Sequence, residues 1–210
     1  MPIAKENRVL VVINWLSSGD HDYLYRFIEA SGRGTIQAIL GDDYLRIVKL
    51  YGTKATFTGL IEALRKEGAK RSVHRIDLIV MLHGLPGKLV FKDGRKATSE
   101  VCEAIKELGL AAKLRLLYNT SCFGDSHSQH FLRAGFDTAI GSKKVNANAA
   151  VEFPLLLSLW QFNNTIEQCL APTRPLTGPA DAAAKAYGFL TNASWKNDVN
   201  STKVLRGKKT

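Results

Sequence analysis

Two residues that could form a catalytic pair, His83 and Cys122, each stand at the end of an apolar run and close to a glycine. The first run, LIVMLHG, ends at His83-Gly84, and the second, LRLLYNTSCFG, ends at the turn Cys122-Phe123-Gly124. A thiolate is a strong nucleophile, and a nearby imidazole can accept the thiol proton or stabilise the thiolate. Backbone N–H groups at these glycines could hold a developing oxyanion. The residue types therefore indicate nucleophilic catalysis by a thiol.

The two runs predict buried strands of a parallel sheet, because they are short, apolar and flanked by polar residues. Further strands are expected over 8–14, 44–52 and 137–142, and a hairpin around Asp93-Gly94. Amphipathic stretches between the strands predict helices over 20–31, 56–69, 98–109, 126–135 and 147–162, with a glycine-bearing loop after the first. Strands that alternate with helices indicate an α/β fold with a mostly parallel sheet covered on both faces. In such a sheet, sites form beyond the carboxyl ends of the strands, where His83 and Cys122 lie.

The C-terminal part differs in composition from the rest of the chain. After Cys169 the sequence APTRPLTGP predicts a proline-rich loop, ADAAAKAYGFL predicts a helix, and the remainder predicts a basic, polar tail. We expect a catalytic domain over residues 1–170, with residues 171–210 packed on the same domain.

The pattern resembles the caspase-like group of cysteine peptidases, which includes caspases, metacaspases, legumains, gingipains and CHAT domains. An apolar block ending in His-Gly, followed by a second ending in Cys-x-Gly, carries the resemblance. The stretch VLVVIN is similar to the opening strand of the group, TFTGLIEALRKE to the helix before the histidine strand, and FLRAGFDTAIGS to the segment after the cysteine. The resemblance covers about residues 8–165.

The resemblance implies a three-layer caspase-like fold and a cysteine endopeptidase that cleaves peptide or protein substrates. His83 would be the general acid and base, Cys122 the nucleophile, and the backbone N–H groups of Gly84 and Cys122 the oxyanion hole. Neither a metal nor an organic cofactor is implied. The alternative is a catalytically inactive caspase-like module that serves as a binding or scaffold protein.

The residues around the nucleophile depart from the group. Thr120 stands where the group places a residue of the pocket for the side chain before the cleaved bond, and with Ser121 it replaces Gln-Ala or Glu-Ala. Asp125, like Asp20 and Asp22, could select a basic side chain, although capping of the next helix is the other interpretation of Asp125. The segment 142–148, which begins at Ser142, could wall the substrate groove by analogy.

Two other interpretations compete with a peptidase. His127 and His130 could join Cys122 and His83 in a zinc site, but the polar residues around them favour an ordinary helix start. The net charge of +10 suggests nucleic-acid binding, but the basic residues are dispersed and lack interleaved aromatics.

Composition and cysteine count argue against a membrane-spanning, secreted or disulfide-rich protein. No apolar stretch is long enough for a transmembrane helix, and the N-terminal stretch lacks the pattern of a secretory signal, which predicts a cytoplasmic location. The cysteines (Cys102, Cys122 and Cys169) are too few and too widely spaced to predict a disulfide framework.

Overall fold

The structure is a computed structural model, and it describes residues 5–16, 22–147, 149–161 and 164–208, without the side chains of 22–24 and 150–151. The described strands are β1 (Arg8–Trp15), β2 (Arg46–Tyr51), β3 (Arg75–Leu85), β4 (Lys88–Phe91), β5 (Gly94–Ala97), β6 (Leu114–Asn119), β7 (Thr138–Ser142) and β8 (Lys203–Gly207). The described α-helices are α1 (Asp22–Leu40), α2 (Phe57–Gly68), α3 (Thr98–Lys106), α4 (Gly124–Arg133), α5 (Ala149–Trp160), α6 (Ile166–Leu170) and α7 (Arg174–Leu190).

The strands form a central sheet in the order β2-β1-β3-β6-β7-β8. The first five strands of this order run parallel, and β8 pairs antiparallel with β7. The hairpin β4–β5 extends from the end of β3 by antiparallel pairing. All carboxyl ends of the parallel strands consequently lie at one edge of the sheet, which is where an α/β protein builds its sites.

Both faces of the sheet are buried, which explains why its central strands are continuously apolar rather than alternating. In β1, Val9 and Val11 pack into the core on one face, while Leu10 and Val12 pack into the core on the other. Helices α2, α3 and α4 cover the first face, and α1, α5 and α6 cover the second. The predicted α/β architecture, a mostly parallel central sheet flanked by helices, is confirmed.

Helix α1 is longer than its sequence pattern predicts. The glycine-bearing segment after Ser31 was expected to be a loop, but the helix continues through Gly32 and Gly34 to Leu40. Ile36 and Leu40 are completely buried on the α1 face of the sheet. Burial of these two side chains outweighs the unfavourable helix propensity of glycine, which is about 1 kcal/mol per residue.

The C-terminal part is more regular than its composition predicts. The proline-rich stretch is helical, because a short 3₁₀ turn over 171–173 leads into α7, with Pro175 in the first turn and Pro179 inside the helix. A proline near a helix start removes an N–H that has no intrahelical partner anyway. The predicted polar tail forms β8, which extends the sheet at β7. The division of the chain at residue 170 stays a prediction.

In the parts of the chain that the structure describes, every helix is too short or too polar to span a lipid bilayer.

Candidate active site

The sheet brings the two predicted catalytic residues to the same edge. β3 and β6 are neighbours, with Val80 opposite Asn119, so the chain beyond each strand emerges side by side. A Cβ atom on Gly84 would overlap the carbonyl oxygen of Cys122, so the backbone that follows His83 touches the backbone of Cys122. Only glycine allows this approach, which explains the His-Gly pair in physical terms.

One ring nitrogen of His83 is fixed by the end of the first strand. The His83 Nε2 atom lies 2.6 Å from the carbonyl oxygen of Leu16. A carbonyl oxygen only accepts hydrogen bonds, so Nε2 must carry the proton and donate it. In the neutral imidazole, Nδ1 is then the nitrogen with the basic lone pair. Because a base must be able to receive a proton, the Leu16 carbonyl selects the tautomer that general-base catalysis through Nδ1 requires.

The imidazole packs against the ring of Tyr25, edge to face, with 4.5 Å between the ring centroids. Burial lowers the pKa of His83, while the Leu16 carbonyl and the charge of Glu29 act in the opposite direction. A histidine with a lowered pKa is neutral near pH 7 and therefore able to accept a proton. Burial raises the pKa of Tyr25, and the charges of Cys122 and Tyr187 act in the same direction.

Cys122 is half-buried, and burial raises the pKa of its thiol. Three groups act against this effect: the backbone N–H of Asn146, which lies 3.4 Å from the Cys122 Sγ atom, the positive charge of Lys203, and the backbone N–H of Cys122 itself. Since the pKa remains above its ordinary value, the resting group is a thiol rather than a thiolate. Reaction consequently needs a base to remove its proton.

A buried ion pair lies behind Cys122. Lys203 Nζ is 2.5 Å from the carboxylate of Glu152, and both side chains are almost completely buried. The same ammonium donates to Asn146 Oδ1 at 2.9 Å, and Asn146 Nδ2 donates to the carbonyl of Thr120 at 2.7 Å. Asn146 therefore connects the cation of β8 to the backbone before Cys122 and, through its own N–H, to the sulfur.

The turn that carries Cys122 is tight and rests on β7. Phe123 adopts the left-handed conformation with φ 57°, which is uncommon for a residue with a side chain, and α4 begins at the next residue. A Cβ atom on Gly124 would lie 2.8 Å from the Cα atom of Gly141, so the two glycine backbones are in direct contact. The Phe123 N–H donates to the carbonyl of Lys144 at 2.7 Å. These contacts fix the direction in which the chain leaves β6.

A buried polar network joins the two strand ends beneath the turn. His127 Nε2 donates to the carbonyl of Leu85 at 2.8 Å, and Asn119 Nδ2 donates to His127 Nδ1 at 3.0 Å. Asn119 Oδ1 accepts from the backbone N–H and the hydroxyl of Ser121. Burial lowers the pKa of His127, which keeps the imidazole neutral and allows Nδ1 to act as an acceptor. The network thus holds the position of Cys122 relative to β3.

Thr120, one of the predicted substrate contacts, lies beside a shallow surface depression. Thr120 is half-buried, and its hydroxyl donates to the Val80 carbonyl at 3.1 Å. The depression lies between α1 and α5 and has no charged side chain among its described lining residues, which are Ile28, Ser31, Gly32, Thr35, Met81, Thr120, Ala149, Phe153 and Pro154.

The other three predicted substrate residues are occupied within the protein. Ser121 is 2% exposed and donates to Asn119, and Ser142 is completely buried and donates to the carbonyl of Ser121. Asp125 neither caps α4 nor stands open to a substrate, because Arg206 binds both of its carboxylate oxygens. These side chains therefore present little surface to a peptide. Asp20 and the side chain of Asp22 lie outside the described part of the chain.

The described residues do not form the ligand cluster that a zinc site would need. Among the described residues, no group of three or more His, Cys, Asp or Glu side chains is arranged to hold a metal ion. His127 is completely buried, and both of its ring nitrogens have partners within the protein. The three cysteines, all of which are described, are free thiols.

Three residues of the candidate site were not predicted from the sequence. Glu29 and Tyr25 belong to an amphipathic helix, and Lys203 belongs to a segment that resembled a solvated tail. Asn146 lies within the predicted groove segment 142–148, although it was not singled out there. Their roles depend on which side chains the fold brings to the strand ends. The one available hint was that α1 directly follows β1, which places its residues near the carboxyl edge of the sheet.

No protein-family model matches the sequence, and no curated protein matches it. Among solved structures, the chain is similar to a secreted C11 cysteine protease from Bacteroides thetaiotaomicron named iotapain, at 14% identity and a TM-score of 0.47. A second similar structure is a secreted C11 cysteine protease from the same organism in complex with an irreversible peptide inhibitor, at 10% identity and a TM-score of 0.48. The similarity covers 74% and 75% of this chain, and 58% and 57% of those proteins, respectively. The chain thus spans less than two thirds of the length of those proteins. Both of them are secreted, and the cytoplasmic location of this protein stays a prediction.

Proposed function

We propose that this protein is a cysteine peptidase in which Cys122 attacks a peptide carbonyl and His83 moves the proton. The observation that carries the proposal is the hydrogen bond from His83 Nε2 to the Leu16 carbonyl, 2.6 Å long. It leaves Nδ1 as the basic nitrogen, at the sheet edge where the backbone of Gly84 touches that of Cys122. Because burial raises the pKa of the Cys122 thiol, the proposed reaction depends on a base such as His83.

The proposed reaction has two stages. His83 Nδ1 takes the thiol proton, and the sulfur bonds to the substrate carbonyl carbon, whose oxygen becomes an oxyanion held by the N–H groups of Gly84 and Cys122. The oxyanion reforms the carbonyl, the C–N bond breaks, and the leaving amine takes the proton from His83, which leaves a thioester on Cys122. Water then gives a proton to His83 and attacks the thioester, and the released sulfur recovers the proton. No step requires a cofactor.

We propose Thr120 as the residue that contacts the substrate side chain before the cleaved bond. It is the predicted substrate residue that lines the depression between α1 and α5. The depression would have to widen to admit a side chain, and its described lining is neutral, so a charged side chain would lose hydration there without an opposite charge to compensate. A peptide with an uncharged residue before the cleaved bond is therefore the expected substrate class.

Labelling with a peptide that carries an electrophile at its C-terminus tests the proposal. The probe should modify Cys122, as located by mass spectrometry, and His83→Ala should slow the labelling by about 10²-fold or more, since general-base help of this kind contributes about 10²–10⁴. His74→Ala removes an exposed imidazole at the start of β3 and should label at the wild-type rate. Equal rates for the wild-type protein and His83→Ala would contradict the proposal.

The alternative is a binding module in which the dyad does not turn over. One observation favours it: burial keeps the pKa of the Cys122 thiol above its ordinary value despite the nearby cation of Lys203. Under this alternative, a peptide binds at the same edge with equal affinity to the wild-type protein and to Cys122→Ala, and the electrophilic probe leaves Cys122 unmodified.

A further inference from the structure

A buried carboxylate stands behind the carbonyl that orients His83. Glu29, on α1, is 6% exposed, and its Oε1 atom accepts the backbone N–H of Leu16 at 2.6 Å. The carbonyl of the same residue, Leu16, accepts the proton of His83 Nε2 at 2.6 Å. The other Glu29 oxygen lies 3.5 Å from Arg33, one helical turn along α1. A carboxylate, a backbone residue and an imidazole therefore follow one another in direct contact.

We propose that Glu29 is a positioning residue for His83 that does the work of a triad carboxylate without touching the imidazole. The inference rests on the proposed function, because it assigns Glu29 to the same reaction. Glu29 fixes the residue whose carbonyl selects the His83 tautomer, and its negative charge stabilises the imidazolium that forms when the thiol proton is taken up.

The charges around His83 make Glu29 the group suited to this role. Tyr25 is a neutral phenol at the ring edge, and Cys122 becomes negative only as it passes its proton to His83. Arg33 is a cation, so it weakens the effect of Glu29 rather than adding to it. The attraction of Glu29 for the imidazolium accordingly raises the pKa of His83 against the effect of burial. A buried carboxylate on the opposite face of the sheet should have little influence on this titration, because the Coulomb interaction falls off with distance.

Glu67 shows what a structural carboxylate looks like in the same protein. It is 4% exposed on α2, on the opposite face of the sheet, and it binds two cations, Arg46 and Lys70. Glu29 instead uses one carboxylate oxygen for the backbone of the residue that holds His83. Glu67→Gln is therefore a matched control for Glu29→Gln, because both changes remove a buried charge from a helix.

The test follows the titration of His83 by NMR in the full chain, with its signal assigned from His83→Gln. Glu29→Gln keeps an oxygen that can accept the Leu16 N–H but removes the charge, so His83 should titrate at lower pH. Alkylation of Cys122 by iodoacetamide near pH 7 should slow by about tenfold, which corresponds to a change of about one pKa unit. Glu67→Gln should leave both measurements at their wild-type values. An unchanged titration and alkylation rate in a folded Glu29→Gln protein would overturn the inference.

A second variant keeps the inference falsifiable if Glu29→Gln does not fold. Arg33→Gln removes a partly exposed cation beside Glu29, so it should shift the His83 titration to higher pH. The absence of a shift would overturn the inference. The two proposals also fail separately. A shifted titration without peptide-probe labelling supports the role of Glu29 and contradicts the peptidase. Probe labelling without any shift in titration supports the peptidase and contradicts the role of Glu29.

Discussion

The two halves of the candidate site are held by different kinds of contact. On the histidine side, His83 is bound by the backbone carbonyl of Leu16, and Glu29, only 13 residues along the chain from Leu16, binds the N–H of that residue. On the cysteine side, Cys122 receives the N–H of Asn146, and Lys203 binds Asn146 across 57 residues of chain. The imidazole is oriented by a strand and the helix that follows it, whereas the thiol depends on distant segments.

The histidine side of the site depends mainly on orientation, whereas the cysteine side depends mainly on charge. The Leu16 carbonyl, directly after β1, fixes the tautomer of His83 but carries no net charge. The charge that acts on the pKa of His83 is that of Glu29, on α1. Burial raises the pKa of the Cys122 thiol, and a nearby cation opposes this effect. A buried cation is in turn stable only beside an anion. The pair of Lys203 and Glu152 satisfies this need. The cysteine side should therefore be the more sensitive half of the site to a change of charge.

The largest expected effect is that of Lys203→Met. This change leaves Glu152 as an uncompensated buried charge, so the free energy of unfolding should fall by about 3–5 kcal/mol. It also removes the cation that lowers the pKa of Cys122, so the thiol should alkylate several-fold more slowly near pH 7. Urea unfolding and iodoacetamide kinetics measure the two effects.

Two further variants isolate the ion pair. Lys203→Met combined with Glu152→Gln should recover most of the stability, because no buried charge remains, but it should not recover the thiol reactivity. Lys208→Met removes a lysine five residues further along, which is exposed and paired with Asp137, and should change neither quantity appreciably. A loss below about 1 kcal/mol in Lys203→Met would contradict the assigned importance of the pair.

A smaller effect is expected from the network that joins the two halves. His127→Gln disturbs the buried hydrogen bonds of His127 to Leu85 and Asn119, and should lower the free energy of unfolding by about 2 kcal/mol near neutral pH. The penalty should shrink in acid. Because burial lowers the pKa of His127, the unfolded chain binds the proton more tightly, and the wild-type protein loses stability as the pH falls below the ordinary imidazole value of 6.5.

Urea unfolding at about pH 7.5 and pH 5 checks this linkage. The wild-type protein should lose more stability between the two conditions than His127→Gln does, and the dependence that remains in the variant includes that of His83, whose pKa is also lowered by burial. His74→Gln, on the surface, serves as the control. An undiminished pH dependence in His127→Gln would show that the buried network does not contribute.

The smallest effect is expected at the ion pair of Arg206 and Asp125. Arg206 contacts both carboxylate oxygens, but its side chain is 37% exposed, so Arg206→Leu should cost less than about 1 kcal/mol. The alkylation rate of Cys122 should stay at the wild-type value, since Arg206 and Lys203 point to opposite faces of β8. A change in rate of more than about threefold would mean that charge on either face of β8 reaches the thiol.

The sequence was most informative where local pattern and global fold agree. Continuous apolar runs predicted β1, β3 and β6 because both faces of these strands are buried, and the parallel order then placed His83 and Cys122 at one edge. Thr56 was part of a predicted helix start, and its side chain does cap α2 by accepting the N–H of Gly59. Such features depend on a few neighbouring residues and can be derived from spacing.

The supporting residues could not be derived in this way. Whether α1 passes Gly32 depends on the packing of Ile36 and Leu40, which the local sequence does not show. The prolines of 171–179 suggested a loop because composition does not reveal that a helix starts among them. Lys203 looked like one more charge on a basic tail, yet β8 turns it inward against Glu152. Each case depends on contacts between segments far apart in sequence.

The antiparallel pairing of β8 with β7 has a consequence for the newly made chain. The ribosome releases β8 after every other described strand, so β7 remains an open sheet edge, and Glu152 lacks its cation, until β8 emerges. Cys122 has been synthesised by then, but its thiol still lacks the positive charge of Lys203, which favours the thiolate. The electrostatic environment of Cys122 is therefore completed only when β8 pairs with β7.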